Sequence, residues 1–320
     1  MDKSVLKRNI LFLFGVLVFA LLISLGRIAE YLTSEYIYCT HNYNANESCA
    51  ECINKRPQTP IPGKIPQHIH QIFFYETSSQ LPDKLVKAKN SWIQYHPNYT
   101  YTLWNKTSIN SLLEREYPFL RKLYDSYGHW VRRADVARYL VLYHYGGWYV
   151  DMDVACRRSV RTLEQEAQEL NKTAILRVTE PVGFSNDFIG ITKRHPFLFS
   201  VLTSLHKSNR WFIFPYANTM FSTGPTFLWG RYLNYRDQNQ LYIINNSSYS
   251  NYLVLMHNSS WHSWDGIIVW YLFRDTRMFI VLMTSLAVLL CVTLFLCKYR
   301  GVCSLRNKTY KYIRSRKRSV

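Results

Sequence analysis

The stretch that decides the fold is Gly146-Gly147-Trp148-Tyr149-Val150-Asp151-Met152-Asp153. It follows a helical pattern, and a glycine pair is typical of a sharp turn that ends a helix. If the chain beyond the glycines is a strand, Asp151 and Asp153 share one face while Met152 faces the core. Two adjacent carboxylates repel each other, and a divalent cation with oxygen ligands removes that repulsion. A solvated turn is the alternative, because D-x-D triplets are frequent by chance.

The helix before this stretch carries a second polar group. Arg132, Asp135 and Arg138 are spaced three apart, so they line one face of a helix. One interpretation is an exposed ladder of ion pairs, which adds little stability. The other interpretation is a polar face directed toward a ligand bound near Asp151.

Outward from these residues, short apolar runs alternate with segments of helical spacing. The predicted strands are 68–74, 99–104, 148–153, 175–179 and 187–192. The predicted helices are 83–94, 107–116, 118–126, 129–144 and 196–206. Because strands and helices alternate, we expect an α/β fold with a mostly parallel sheet covered by helices.

Two uncharged segments near the ends of the chain are long enough to cross a bilayer. One lies between Arg8 and Arg27, and the other runs for 20 residues from Met278 to Cys297. A cleaved signal peptide is the competing interpretation of the first segment. The predicted organisation is a cytosolic tail (1–8), a transmembrane signal anchor (9–27), a lumenal stem (28–60), a lumenal domain (61–277), a second transmembrane helix (278–297) and a basic cytosolic tail (298–320).

The basic charge of the chain is concentrated at its two ends. Residues 1–9 and 298–320 hold 12 of the 39 Lys and Arg residues and one of the 21 acidic residues, so they carry +11 of the formal net charge of +18. Positive charge beside a membrane span favours the cytosolic side, which places the region between the spans in a lumen. The charge therefore indicates membrane topology, and no pattern supports nucleic-acid binding.

Cysteines and N-x-[ST] triplets agree with a lumenal region. Triplets at Asn46, Asn98, Asn105, Asn171, Asn245, Asn246 and Asn258 are candidate glycosylation sites, although some arise by chance. Cys39, Cys49 and Cys52 predict a disulfide within the stem, and Cys156 is either buried or paired with one of them. The chain lacks the second C-x-x-C or the metal-spaced histidines that a zinc site needs.

Four motifs in order resemble the D-x-D-containing glycosyltransferases of family 32 over residues 61–270. They are Ile65-Pro66-x-x-Ile69-His70-Gln71, Tyr99-x-Tyr101-x-Leu103-Trp104, Arg133-Ala134-Asp135-x-x-Arg138-Tyr139 and Gly146-Gly147-x-Tyr149-x-Asp151-x-Asp153. The resemblance implies a GT-A-type, Rossmann-like nucleotide-sugar-binding domain, here flanked by two transmembrane helices, and retaining sugar transfer. It further implies that Asp151 and Asp153 hold Mn²⁺ or Mg²⁺ and the donor diphosphate. Asp135 and Arg138 are then expected to contact the sugar-nucleotide donor.

The C-terminal motifs resemble the catalytic subunits of inositol-phosphoceramide mannosyltransferases. They are Asn186-Asp187, His195-Pro196-Phe197, Thr223-Gly224-Pro225 and His257-x-Ser259-Ser260-Trp261-His262-x-x-Asp265, with a departure at Asn258-Ser259, where a glycine is expected before Ser-Ser-Trp. This resemblance implies mannose transfer from GDP-mannose to inositol phosphoceramide, in a Golgi or other secretory-pathway membrane, with a regulatory membrane subunit as partner. It assigns catalytic roles to His257 and Asp265, and substrate contacts to His257, Trp261, His262 and Asn186. A turn, a core or a juxtamembrane collar is the alternative explanation of these residues.

The position of Asp265 bears on the acceptor. Asp265 lies 13 residues before Met278, a link of about 45 Å when extended and about 20 Å as a helix. A site there could meet a lipid headgroup at the bilayer surface. The competing functions are a galactosyl-, N-acetylglucosaminyl- or mannosyltransferase acting on a glycan or another glycolipid, and a non-catalytic lectin or chaperone on the same fold.

Overall fold

The computed structural model describes residues 63–74, 81–179, 183–212, 214–256, 265–266 and 285. All of them except Ser285 belong to one of the two units into which contacts divide the chain, residues 20–269. The predicted stem and tails, and the predicted spans apart from Ser285, fall outside the described residues. Within the described part, no helix has both the length and the apolar character needed to cross a membrane.

The elements follow the predicted alternation closely. The strands are β1 (His68–Ile72), β2 (Thr100–Trp104), β3 (Gly147–Val150), β4 (Val154–Cys156), β5 (Ala174–Val178), β6 (Phe184–Ile191), β7 (Leu241–Ile244) and β8 (Leu253–Leu255). The helices are α1 (Asp83–Tyr95), α2 (Lys106–Glu116), α3 (Pro118–Ser126), α4 (Trp130–Tyr145), α5 (Arg161–Glu169), α6 (Pro196–Ser208), α7 (Pro215–Ser222), α8 (Pro225–Leu233) and α9 (Asn246–Tyr249), with a 3-10 turn at Gln238–Gln240.

Six strands form one sheet in the order β2-β1-β3-β6-β5-β7, and β4 pairs with β8 separately. β1 is parallel to β2 and β3, and β5 is parallel to β7. β6 is antiparallel to both β3 and β5, so five of the six strands of this sheet run the same way, as the sequence predicts, and β6 runs the opposite way. The reason is the short connection between β5 and β6, since a parallel crossover needs a dozen or more residues.

Helices cover both faces of the sheet, because successive side chains along each strand enter two different cores. Tyr149 and Ile189 pack with α2, α3, α4, α6 and α8. Trp148, Val150 and Phe188 pack with α1, α5 and the β4–β8 pair. The α/β prediction is therefore confirmed. β3 lies inside the sheet, so the residues after Val150 emerge at its edge, here called the carboxyl edge.

The glycine pair makes the turn that the sequence predicts. Gly146 and Gly147 have φ values of 68° and 96°, which L side chains rarely adopt. A Cβ atom on Gly147 would lie 2.4 Å from the carbonyl oxygen of His68, and one on Gly146 would lie 2.6 Å from the amide nitrogen of Lys193. Both positions therefore require glycine, and together they fix where β3 begins.

Candidate donor and metal site

The two aspartates of the D-x-D triplet lie on a turn. β3 ends at Val150, and the amide of Val154 donates to the carbonyl of Asp151 at 3.1 Å across residues 151–154. The prediction that the strand continues to Asp153 is therefore wrong, because the chain must reverse into β4. Met152 is buried as expected, while Asp151 and Asp153 are half-buried.

Neighbouring strands hold the backbone of this turn on both sides. The amide of Asp151 donates to the carbonyl of Asp187 at 2.8 Å, and the side-chain amide of Gln71 donates to the carbonyl of Asp151 at 3.2 Å. The amide of Met256 donates to the carbonyl of Asp153 at 2.9 Å. Three segments distant in sequence therefore fix the position of the D-x-D turn.

The carboxylate of Asp151 is oriented by two side chains. The hydroxyl of Tyr149 donates to Oδ1 at 2.6 Å, and Nη2 of Arg138 lies 3.4 Å from the same oxygen. The Arg138 guanidinium also lies over the Tyr149 ring, 4.8 Å from its centroid. Burial raises the pKa of the Asp151 carboxyl, and the Arg138 charge opposes that shift.

Asp135 and Arg138 form a buried pair beneath the turn, which rules out the exposed ion-pair ladder. Asp135 is only 3% exposed, and its Oδ1 lies 3.1 Å from Nη2 of Arg138. Asn186 donates to Oδ1 of Asp135 at 2.9 Å, and Thr223 donates to Oδ2 at 2.8 Å. Arg138 in turn donates to the carbonyl of Asn186 at 2.7 Å. Burial raises the pKa of the Asp135 carboxyl to about 6, although the Arg138 charge acts in the opposite direction.

Arg132, the third member of the predicted face, does not join this pair. Its guanidinium lies 5.1 Å from the centroid of the Tyr127 ring, and its Nη1 donates to Asn209 at 3.4 Å. Asn186, predicted to contact substrate, bonds both Asp135 and the hydroxyl of Tyr139. Its observed contacts therefore fix the orientation of Asp135.

Asp187 is a neighbour that the sequence reasoning did not assign to the site. Arg177 pairs with both of its carboxylate oxygens, with Nε donating to Oδ1 at 2.8 Å. Burial, followed by the charges of Asp151 and Asp187, raises the pKa of the Asp153 carboxyl to about 6. The signal was present in the sequence as Asn186-Asp187, but only the antiparallel pairing of β6 with β3 brings Asp187 to the turn.

These carboxylates suit a divalent cation that is shared with a ligand. Arg138 and Arg177 pair with Asp151 and Asp187, whereas no ion pair among the described residues reaches Asp153. Oxygen donors with unbalanced negative charge fit Mg²⁺ or Mn²⁺, which retain positions for water and phosphate. No cluster of three or more His, Cys, Asp or Glu ligands occurs in the described part of the chain, so Asp151 and Asp153 would supply only part of the coordination.

The predicted acceptor residues are placed only in part. His257, Trp261 and His262 lie outside the described residues. Asp265 is 1% exposed, and its Oδ2 accepts the backbone N–H of Tyr216 at 2.7 Å. That contact caps the start of α7, where the local residue Phe214 provides no side-chain cap. Thr223, immediately after the same helix, carries the hydroxyl that bonds Asp135.

The structure also distinguishes between the two states predicted for Cys156. Cys156 is buried and not disulfide-bonded, which agrees with the first of its two predicted states. Burial raises the pKa of this thiol to about 12, so it stays protonated at neutral pH. Cys39, Cys49 and Cys52 lie outside the described residues, and their disulfide stays a prediction.

Comparisons with known proteins bear on this site. A family described as a glycosyltransferase sugar-binding region containing a DXD motif matches residues 82–170. Inositol phosphoceramide mannosyltransferase 3 of Schizosaccharomyces pombe is 36% identical over 225 residues, which cover 67% of this chain and 61% of that protein. Inositol phosphoceramide mannosyltransferase 1 of the same organism is 30% identical over 253 residues, which cover 75% of each.

A solved glycosyltransferase structure is also similar to this chain. The UDP-bound glycosyltransferase domain of the YGT toxin has a TM-score of 0.43 at 11% identity, covering 62% of this chain and 82% of that one. The chain spans between 55% and 61% of the length of three of its curated relatives. With the 75% coverage of a mannosyltransferase at 30% identity, the chain belongs to the family of DXD-containing glycosyltransferases that includes the inositol phosphoceramide mannosyltransferases.

Proposed function

We propose that this protein is a retaining glycosyltransferase that transfers mannose from GDP-mannose to inositol phosphoceramide in sphingolipid biosynthesis. The observation that carries the proposal is the D-x-D turn packed against the buried Asp135–Arg138 pair at the carboxyl edge. Ligand sites of α/β sheets occur at that edge, outside the ends of the strands. The relatives are inositol phosphoceramide mannosyltransferases, and their activity suggests the sugar and the acceptor.

Each residue of the site has a distinct task in this proposal. Asp151 and Asp153 hold the divalent cation, and Arg138 and Tyr149 fix the direction of the Asp151 carboxylate. Asp135, held by Asn186 and Thr223, is assigned to orienting the sugar-nucleotide donor. Mn²⁺ or Mg²⁺ held by these aspartates would supply positive charge to offset that of the departing diphosphate.

The acceptor and the location extend the proposal. We place the catalytic domain in the lumen of the Golgi or another secretory-pathway compartment, between two membrane spans, with inositol phosphoceramide in the adjoining bilayer and a regulatory membrane subunit as partner. His257, Trp261 and His262 are assigned to the acceptor. Asp265 keeps its assignment near the acceptor, and its capping of α7 connects that segment to Thr223 and the donor site.

The test uses the purified full-length protein in detergent micelles. GDP-mannose and Mn²⁺ are offered with inositol phosphoceramide and, separately, with a high-mannose glycan. We expect mannosylated lipid, loss of product in excess chelator, and loss of product in Asp151→Asn and Asp153→Asn. Asp125→Asn is the matched control, because Asp125 is an exposed aspartate that pairs with Arg121 on the surface.

Four results would contradict the proposal in different ways. Transfer to the glycan alone would refute the lipid acceptor. Transfer of galactose or N-acetylglucosamine instead of mannose would refute the donor. Full activity of both aspartate variants would refute the metal site, and sugar binding without any transfer would indicate a lectin-like protein.

A further inference from the structure

Two tryptophans at the carboxyl edge are exposed although large aromatic side chains are normally covered. Trp211 is 65% exposed and Trp130 is 53% exposed, whereas Trp92 and Trp148 are fully buried. An exposed indole leaves a large apolar surface in water, and such surfaces mark sites of contact with a partner or a membrane.

Both tryptophans lie beside the donor site. Trp130 begins α4, and Asp135 follows on the same helix about 7.5 Å along its axis. Trp211 lies in the loop between α6 and α7, of which the structure describes residues 209–212 and 214. Asn209 in that loop bonds Arg132 of α4 and Ser126 of α3, each at 3.4 Å. The loop and the start of α4 are therefore neighbours on one rim of the site.

The chain holds this loop in place, so the exposure of Trp211 is built into the fold. The side chain of Asn218 accepts a hydrogen bond from the backbone N–H of Phe212 and donates one to the backbone carbonyl of Phe212, both at 2.7 Å. Phe212 itself is 1% exposed and contacts Phe221, with ring centroids 5.4 Å apart. With Phe212 anchored inward, the adjacent Trp211 is presented outward.

The same loop is tied to the segment that leads to the second predicted span. Tyr216, two residues after the loop, donates its backbone N–H to Asp265. A Cβ atom on Gly266 would lie 2.8 Å from the Tyr216 ring, so this packing is close. Met278, the start of the uncharged stretch, is the thirteenth residue after Asp265, which limits the link to about 45 Å when extended.

Charge identifies the partner. Residues 126–134 and 207–214, which contain the two tryptophans, hold four Lys or Arg residues and no Asp or Glu. Tryptophan and arginine together favour the interface between water and lipid, and basic segments are attracted to anionic headgroups. A bilayer surface with anionic lipids fits both properties.

We propose that Trp130 and residues 209–212, together called the membrane-contact rim, rest on the lipid surface and direct the carboxyl edge toward it. This inference rests on the proposed function for its purpose, which is to let the site reach a lipid acceptor that stays in the bilayer. The test of the inference is independent of the proposed function, because contact with lipid is measurable without sugar transfer.

The experiment places a photoreactive benzoylphenylalanine at position 130, 211 or 170 of the full-length protein. Leu170 is the matched control, since it is 55% exposed but precedes β5 at the opposite edge of the sheet. The proteins are reconstituted in nanodiscs of phosphatidylcholine and phosphatidylinositol, irradiated and analysed by mass spectrometry. We expect lipid adducts at 130 and 211, at least about five times more abundant than at 170.

The outcomes separate the alternatives. Absence of lipid adducts at 130 and 211, or equal adducts at 170, would overturn the membrane-contact rim. Irradiation in native membranes that yields protein adducts instead of lipid adducts at 211 would also overturn it and indicate a protein-docking surface.

A kinetic measurement adds a second readout that depends on the proposed function. In Trp130→Ala/Trp211→Ala, we expect the KM for acceptor embedded in vesicles to rise about tenfold, because interfacial tryptophans contribute to membrane affinity. The kcat with a short-chain, water-soluble acceptor should stay unchanged. Equal KM values in vesicles would count against the rim, whereas absence of any transfer by the wild type would refute the proposed function and leave the crosslinking result standing.

Discussion

Asp135 on α4 is a buried acid and Glu164 on α5 is a half-buried one, on different sides of the same molecule. Burial is the largest cause of the raised pKa of each carboxyl. Their partners differ, because Asp135 pairs with Arg138, whereas Glu164 accepts from Trp148 at 2.6 Å and Tyr99 at 2.7 Å. Neutral donors satisfy Glu164 locally, while the charged pair at Asp135 extends to Asp151. The comparison teaches that a raised carboxyl pKa indicates burial alone. The charged contacts that link Asp135 through Arg138 to Asp151 are what indicate the donor and metal site.

The largest expected effect distinguishes the two acids directly. Asp135→Asn removes the charge that balances Arg138 and the acceptor offered to the donor sugar, so we expect kcat/KM to fall roughly 1,000-fold. Initial-rate kinetics with the lipid acceptor measure the loss, and circular dichroism checks that the fold is retained. A variant of Asp135 that keeps more than a tenth of the activity would break the comparison.

A smaller effect is expected when the charge of Arg138 is kept but its shape is changed. Arg138→Lys leaves a point charge that cannot bond the Asn186 carbonyl and both aspartates at once. We expect kcat/KM to fall roughly 100-fold, with little change in the unfolding temperature. Wild-type kinetics in this variant would show that the connection between Asp135 and Asp151 is unnecessary.

The third prediction concerns stability on the side of the sheet away from the carboxyl edge. Burial lowers the pKa of His195 from 6.5 to about 4, so the unfolded chain binds a proton more tightly than the folded protein. Neutral His195 therefore contributes to the free energy of unfolding, and this contribution is complete above pH 6.5 and decreases as the pH falls toward 4. Linkage gives a loss of about 2 kcal/mol between pH 7.5 and 5.

Thermal melts of the wild type and His195→Asn at both pH values measure this contribution. Asparagine keeps a side-chain acceptor for the amide of Phe197 at the start of α6 but does not titrate. The variant should therefore lose less stability on acidification than the wild type. Equal losses in the two proteins would show that His195 does not carry the effect.

The smallest effect is expected at Glu164. Glu164→Gln keeps the side-chain volume and loses one of two accepted hydrogen bonds, at a cost of about 1 kcal/mol. We expect kcat/KM within about threefold of the wild type and a melting temperature lower by about 3 °C. A large loss of activity here would remove the contrast with Asp135, since both acids would then matter for transfer.

The sequence predicted the local features of the site well and the long-range ones poorly. The glycine turn and the adjacency of Asp135 and Arg138 depend on spacing within a few residues, and both are confirmed. The turn at residues 151–153 was predicted as a strand, because alternation alone does not show where the chain reverses. The role of Asp187 depends on pairing with a strand 37 residues away, which periodicity cannot reveal.

The short strand β3 also determines where the chain tolerates insertions and deletions. Gly147 is fixed at one end of the segment by its contact with His68, and Asp151 is fixed at the other by Asp187 and Gln71. Adding or removing a single codon between them would shift both aspartates out of register with three neighbouring segments. In a library of insertions and deletions this interval should tolerate no change of length, whereas the exposed turn before α4 should tolerate several.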